Sequence, residues 1–514
     1  MLSYILSVTL LLLHTSCLCA KKPNFVIFLT DDQDVALDGM YTTTPLCCPS
    51  RASILTGLYV HNHHTWNNSV EGGCYGSSWK QLETSTFSYT LNAAGYSTFY
   101  AGKYLNQYGK PPADSPGIVP PGWTEWHGLV GNSVYFGYTL SHNGVSQNYF
   151  LSYLTDVIRN LGISFIKNQT EFQPFLMVLA PPAPHSPFIP APRHKDAFFN
   201  VTAVRHPNFN VASTDKHWMM TMAPAPLPQS TMAELDRVYR SRWETLLSVD
   251  EMVADIVEAL DTNNLLEDTY IIYTSDNGYH IGQYSQLYDK RQPYEADIKV
   301  PLIIRGPNIQ KDTINNQPIL NVDLAPTIIR WAGLDVPKSM DGRLIQFQHD
   351  QDIERKMLVE HYGESGEDTV HPKCPWKYDD HNLANFKEMY DLSKDPYELK
   401  NIIDDELPSV RDWYHDTLTH MLQCKGSNKR ISSVKNVFEE SPKQNEKQKK
   451  NIQNTFNYGI TVTYLQSTYK IHKKLQLHVK IYCLVQILRN DSNNFIILEL
   501  LLLYCILFVV DKPD

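Results

Sequence analysis

Five short apolar runs decide what this chain can fold into. Residues 24–29, 96–101, 174–180, 269–274 and 300–304 are each rich in β-branched or aromatic side chains. Runs of that length without polar alternation read as strands buried on both faces. Between them, residues 234–260 carry Val238, Trp243, Leu246, Leu247, Val253, Ile256 and Leu260 at helical spacing. Strands alternating with helices imply an α/β fold with a parallel sheet covered on both sides. Ligands of such sheets gather at the carboxyl ends of the strands. With 514 residues and 42% apolar content, the chain has material for two or more domains, or for one large domain with an appendage.

Polar residues cluster where that rule looks for them. Asp31 and Asp32 follow the first run, Lys103 the second, and Asp276 and Asn277 the run at 269–274. His185 follows residues 174–180 after a short proline-rich loop. Each acidic pair alone would read as a turn. Two such pairs, each ending a buried strand, together with a lysine and a histidine, read as an active site. Asp31, Asp32, Asp276 and Asn277 offer hard oxygen ligands, which favour calcium or magnesium over zinc.

The stretch from Cys47 to Gly57 contains Cys47-Cys48-Pro49-Ser50-Arg51 and ends in Thr56-Gly57. Pro49 suits the first position of a helix and Gly57 its stop. Cys47 is then expected just before a helix N-terminus, where free N–H groups attract an anion, and Arg51 about one turn inside. A nucleophile beside an anion hole suits attack on an oxyanion ester.

This stretch resembles the sulfatase signature Cys-x-Pro-Ser-Arg followed by Thr-Gly, and the resemblance runs from about Pro23 to Asn401. It implies an alkaline-phosphatase-like α/β sandwich, with a large mixed, mostly parallel sheet flanked by helices and a smaller C-terminal α+β subdomain. It also implies oxidation of Cys47 to formylglycine (3-oxoalanine) by a formylglycine-generating enzyme. By the same resemblance, Asp31, Asp32, Asp276 and Asn277 bind one calcium ion together with the modified Cys47. Arg51, Lys103 and Lys290 hold the sulfate, and His185 stands near the leaving oxygen. The implied reaction is attack on sulfur by the hydrated aldehyde, with Asp276 as the assisting carboxylate, followed by expulsion of sulfate. Asp323-Leu324-Ala325-Pro326-Thr327 and Met340-Asp341-Gly342-Arg343 match downstream structural motifs.

Many arylsulfatases carry a histidine where this chain has Leu105. Gly102-Lys103-Tyr104-Leu105-Asn106 instead resembles the branch acting on N-acetylglucosamine 6-sulfate, as does the run from Tyr59 to His64. His61 and His63 are candidates for the vacant base role. Without the long basic insertion of the extracellular endosulfatases, the chain resembles the lysosomal exo-acting type. The expected activity is hydrolysis of 6-O-sulfate from glucosamine residues of heparan or keratan sulfate. The alternatives are action on another ester, as in aryl-sulfate or phosphonate hydrolases, and a secreted glycan-binding pseudoenzyme.

Residues 1–20 read as a signal peptide. The remaining chain is expected to divide into a catalytic domain at 21–340, a subdomain at 341–424 and a polar linker with an atypical tail at 425–514. Asn67, Asn168 and Asn200 begin glycosylation triplets. The expected location is the lysosome, reached by the secretory route, or the extracellular space. Cys48 with Cys74, and Cys374 with Cys424, are candidate disulfides. The formal charge of −10 argues against nucleic acid as a partner. The apolar run 495–510 is shorter than the roughly 20 residues a membrane span needs, so membrane association is not expected.

Overall fold

Strand β1 (Asn24–Thr30) is buried along its whole length. Its Phe, Val, Ile and Leu side chains leave no polar face to turn outward. In this computed structural model, residues 21–34, 39–111, 115–347, 355–363 and 386–426 are described, with the backbone of a two-residue strand at Tyr464–Leu465. The chain divides into units at 1–469 and 470–514, and every described element belongs to the first. The readings of the signal peptide, of Cys374 and of the linker and tail beyond residue 426 lie outside the described residues.

The sheet has eight strands. After β1 come β2 (Ser97–Gly102), β3 (Glu125–Leu129), β4 (Tyr138–His142), β5 (Val145–Tyr149), β6 (Phe175–Ala180), β7 (Thr269–Ser275) and β8 (Leu302–Arg305). Their order across the sheet is β8-β7-β1-β6-β2-β3-β4-β5. The five strands from β7 to β3 are parallel, and β8, β4 and β5 add antiparallel edges. Thr30 pairs with Ser275 and Gly102 with Ala180, so the chain leaves β1, β7, β2 and β6 at one edge.

Both faces are covered by helices. The main ones are α1 (Cys47–Thr56), α2 (Phe87–Ala93), α3 (Leu154–Lys167), α4 (Gln229–Thr262), α5 (Leu324–Trp331) and α6 (Pro408–Leu422). Alternation along β1 sorts the two cores. Phe25, Ile27 and Leu29 pack with Ala52 and Leu55 of α1, Leu91 of α2 and Ile328 of α5. Val26 and Phe28 pack with Ile158 and Phe165 of α3 and Met252 and Ile256 of α4. Each such fully buried side chain is worth about 1.5–3 kcal/mol.

The expected layered α/β architecture is present, with three differences. The run 300–304 is not one buried parallel strand. Lys299–Val300 pairs with Met40–Tyr41, while β8 lies half-buried and antiparallel beside β7. Pro301 between them has no N–H to continue a ladder. The helix at 234–260 is longer than expected, and Trp243 lies off its buried stripe at 47% exposure. Strands β3 to β5 were not foreseen.

Residues 386–401 fold back against the sheet-bearing part. The Lys216 ammonium lies 4.6, 5.0 and 4.1 Å from the ring centres of Tyr284, Tyr294 and Tyr390. Tyr294 donates to Glu388 Oε2 at 2.9 Å, and Tyr390 to the same carboxylate oxygen at 2.6 Å. Asp323 accepts the Arg343 N–H at 2.7 Å and pairs with Arg355. Among the described residues no helix is long and apolar enough to cross a membrane.

Candidate active site

Helix α1 brings the signature to the sheet edge. All ten of its residues are buried. It begins at Cys47 rather than at Pro49, so the thiol belongs to the first turn instead of preceding it. Pro49 is still tolerated there, because first-turn N–H groups have no partner within the helix. The Cys48 N–H is taken by Asn68 Oδ1 at 3.0 Å. Gly57 ends the helix at φ 67°, which suits a residue without Cβ, and its carbonyl accepts N–H groups from Asp341 at 2.8 Å and Gly342 at 3.2 Å. The candidate disulfide Cys48–Cys74 is formed, with Cα atoms 5.5 Å apart.

The sequence-predicted residues converge on Cys47. Its Sγ lies 3.8 Å from Asp32 Oδ1. Lys290 pairs with that same oxygen, and Asn277 Nδ2 donates to it at 2.9 Å. Lys103 donates to both oxygens of Asp31 at 2.8 Å. Arg51 reaches Asp276 Oδ2 through Nε and the Lys103 carbonyl through a terminal nitrogen, each at 2.7 Å. Asp276 Oδ1 accepts the N–H groups of Asp32 at 3.0 Å and Asn277 at 2.8 Å. His185 Nε2 stands 3.8 Å from Asp32 Oδ2. Its Nδ1 donates to the Ser186 carbonyl at 2.6 Å, which fixes the tautomer and leaves Nε2 facing the site.

Charge decides how these groups ionise. Burial alone would raise Asp31, but Lys103, with His185, Arg51 and Lys290, holds it well below the usual carboxylate range. Asp32 is likewise lowered against burial, chiefly by Lys290. Burial carries Asp276 up to about 6 despite Arg51. It also pushes the Cys47 thiol up to about 12, against the pull of Lys103 and Lys290. Sulfur held in that state is protonated and a poor nucleophile. Burial lowers His185, with Asp31 and Asp32 opposing.

Asp31, Asp32 and Asn277 offer oxygens suited to a hard cation, with a thiol and an imidazole beside them and Asp276 outside the tight group. Ligand atoms of Asp31, Asp32, Cys47 and His185 lie within 4.8 Å of one another. Asn277 Oδ1 is buried without a hydrogen-bond partner among the described residues, an acceptor that a cation would satisfy. The three carboxylates Asp31, Asp32 and Asp276 balance Arg51, Lys103 and Lys290. A divalent cation would therefore leave the positive excess that a sulfate group needs.

Neither His61 nor His63 has a nitrogen to spare as a base. His61 binds Glu360 at 2.8 Å and the Cys424 carbonyl at 2.9 Å. His63 Nδ1 accepts the Thr65 N–H and its Nε2 binds Ser53 Oγ, both at 3.0 Å. Sequence reasoning also missed three supports. Ser133 binds Asp31, Asn321 Nδ2 binds Ser50 Oγ at 2.8 Å, and Arg242 donates to the Asp32 carbonyl at 2.9 Å. Arg242 meets that carbonyl where the backbone is at φ 65°, a left-handed conformation uncommon outside glycine, though aspartate adopts it more readily than most residues. No local motif marks any of the three.

Of the glycosylation candidates, Asn168 and Asn200 are exposed. Asn67 is only 6% exposed, with Oδ1 accepting the N–H and hydroxyl of Ser69. That burial sets Asn67 apart from the two exposed candidates.

A buried nucleophile position ringed by fixed cations defines an enzyme for oxyanion esters. The sulfatase family model matches residues 27–334, and the model for the N-sulphoglucosamine sulphohydrolase C-terminal region matches residues 282–423. N-acetylglucosamine-6-sulfatase of Capra hircus is 40% identical over 483 residues, covering 81% of this chain and 86% of that one. The Homo sapiens protein of the same name is 40% identical over 482 residues, covering 80% and 87%. A solved complex of a protein with its substrate D-glucosamine-2-N,6-O-disulfate shares the fold, at TM-score 0.61 and 22% identity over 78% of this chain and 97% of that one. The chain belongs to the sulfatase family of sulfuric ester hydrolases.

Proposed function

We propose that this protein removes 6-O-sulfate from N-acetylglucosamine or glucosamine residues of heparan or keratan sulfate. The observation that carries the reading is Cys47, buried in the first turn of α1 against Asp32 and among Arg51, Lys103 and Lys290. The 40% identity to N-acetylglucosamine-6-sulfatases supports the choice of sugar and position.

Position 47 is the site of formylglycine, made by a formylglycine-generating enzyme during secretion. Asp31, Asp32, Asp276 and Asn277 would hold one calcium ion through their side-chain oxygens, which suit a hard cation. When present, the modified residue would supply the nucleophile and the cation a fixed positive charge beside the reacting oxygens. Arg51, Lys103 and Lys290 bind and orient the sulfate and stabilise charge as the ester bond breaks. His185 Nε2 and Lys290 face the departing sugar oxygen and help it leave; His185 can give that oxygen a proton only as the doubly protonated ring, since the neutral ring keeps its proton on Nδ1. Asp276, shared between Arg51 and two backbone N–H groups, fixes the Asp32 loop and assists the nucleophile. The protein reaches the lysosome by the secretory pathway, cleaved after a signal peptide near residue 20 and glycosylated at Asn168 and Asn200.

Two measurements test this. Mass spectrometry of the peptide spanning position 47, from protein secreted by a eukaryotic host, should show an aldehyde or its hydrate. Release of sulfate from N-acetylglucosamine 6-sulfate should exceed that from an aryl sulfate or a phosphonate ester. An intact thiol and no turnover would leave only a binding protein. Chelation should lower the melting temperature, and calcium should restore it better than magnesium.

A further inference from the structure

The segment that follows α1 carries one ring of an aromatic pair with no part in sulfate chemistry. Trp66 and Tyr362 meet edge to face with ring centres 4.5 Å apart, and Tyr362 is 44% exposed. Other aromatic residues of comparable size near α1, such as Trp79, Tyr100 and Trp126, are fully buried. The pair is linked to the active-site framework from two directions. Asn68, two residues after Trp66, takes the Cys48 N–H. Glu360, two residues before Tyr362, donates its N–H to the Thr43 carbonyl at 2.8 Å, and the Thr43 N–H goes to Asn321 Oδ1 at 3.0 Å. Asn321 in turn binds Ser50 of α1. Between Glu360 and Tyr362, His361 has a buried Nδ1 with no hydrogen-bond partner among the described residues. It lies within electrostatic reach of Arg291, the neighbour of Lys290.

A partly exposed aromatic pair, with an uncommitted imidazole nitrogen on the residue next to Tyr362 in sequence, suits a ligand with an apolar face and a polar edge. A pyranose ring has both: C–H groups across one face and hydroxyls around the rim. Large rigid rings bind such faces at little entropic cost. An unmet buried nitrogen is costly until a donor or acceptor arrives.

We propose that Trp66 and Tyr362 form the wall of a saccharide subsite beside the sulfate pocket, with His361 Nδ1 hydrogen-bonding a hydroxyl of the ring that bears the ester. The inference rests on the sugar-sulfate reading above and adds the residues that recognise the sugar. In Tyr362→Ala and Trp66→Ala, KM for N-acetylglucosamine 6-sulfate should rise roughly tenfold, as lost binding shared by ground and transition states does. Inhibition by N-acetylglucosamine, which reports the ring alone, should weaken in parallel. Inhibition by inorganic sulfate, which reports the anion site alone, should move by less than about twofold. Tyr362→Phe and Trp66→Phe should recover the wild-type KM. Sulfate inhibition weakening in step with KM, or no recovery with phenylalanine, would overturn the subsite. If the wild-type protein turns over no 6-sulfated sugar, the parent reading falls first. Calorimetry with N-acetylglucosamine then judges the subsite separately, and equal binding by wild type and alanine variants, or none by wild type, overturns it.

Discussion

Helices α1 and α4 solve opposite problems. α1 has ten residues, all hidden, and much of what it hides is polar: Ser50, Arg51, Ser53 and Thr56. α4 has 34 residues and hides one stripe, from Leu235 through Val249, Met252 and Ile256 to Leu260. In α4 burial largely follows periodicity, and apart from Arg242, Glu244, Thr245 and Ser248 its buried side chains act by filling volume. In α1 every polar side chain named must find a partner, because a buried unmet group costs about 1–3 kcal/mol. Ser53 has Thr43 and His63, Thr56 has the Ala52 carbonyl, Ser50 has Asn321, and Arg51 has Asp276. A helix paid for by neighbours can carry chemistry at fixed positions. A helix held by its own stripe supplies the platform.

Substitutions should separate the two roles. Cys47→Ala should lower kcat/KM by at least about 10⁴-fold, since no other group on α1 can form the covalent intermediate. Its melting temperature should stay near wild type. Arg51→Lys should follow, with a loss of about 10²-fold in kcat. An ammonium cannot span both Asp276 and the Lys103 carbonyl. It should also destabilise the protein by about 3 kcal/mol in denaturant titration, because Asp276 is left poorly paired. Met252→Ala in α4 should cost about 2–5 kcal/mol in the same titration while kcat holds. A large fall in kcat from Met252→Ala would erase the proposed division of labour.

His61, just beyond α1, gives a smaller effect that depends on pH. Burial works against its charge, but the hydrogen bond and charge of Glu360 prevail and raise its pKa. The folded pKa therefore lies above the unfolded value of about 6.5. The stabilisation is complete below that value and is lost as pH rises through the folded pKa. His61→Gln should lower the melting temperature more at about pH 5 than at about pH 9. Trp243→Ala, half-exposed on α4 against Phe198 and Tyr239, should cost about 1 kcal/mol.

The same contrast explains what could be read before folding. The stripe of α4 was visible as spacing, and the catalytic groups were visible because Asp31-Asp32 and Asp276-Asn277 directly follow strands. Helix α1 was legible only through its unusual residues, since a helix buried all round has no period to detect. Strand β5 was missed because Val145–Tyr149 is mostly polar and exposed, a sheet edge that resembles a loop. Arg242 was missed because an arginine on a long helix normally faces water. Only tertiary contact turns it toward the Asp32 carbonyl. The roles offered to His61 and His63 failed for a related reason. Histidine-rich runs advertise reactivity, whereas these rings are joints between α1 and the segments that follow it.

Cys47 is 0% exposed in the finished molecule. No visiting enzyme could grip that side chain without pulling α1 out of its socket. If position 47 is to be converted, the conversion must happen while the polypeptide is still loose, and folding then seals in whichever atom is there. A chain that closed too soon would be well built, durable and permanently idle.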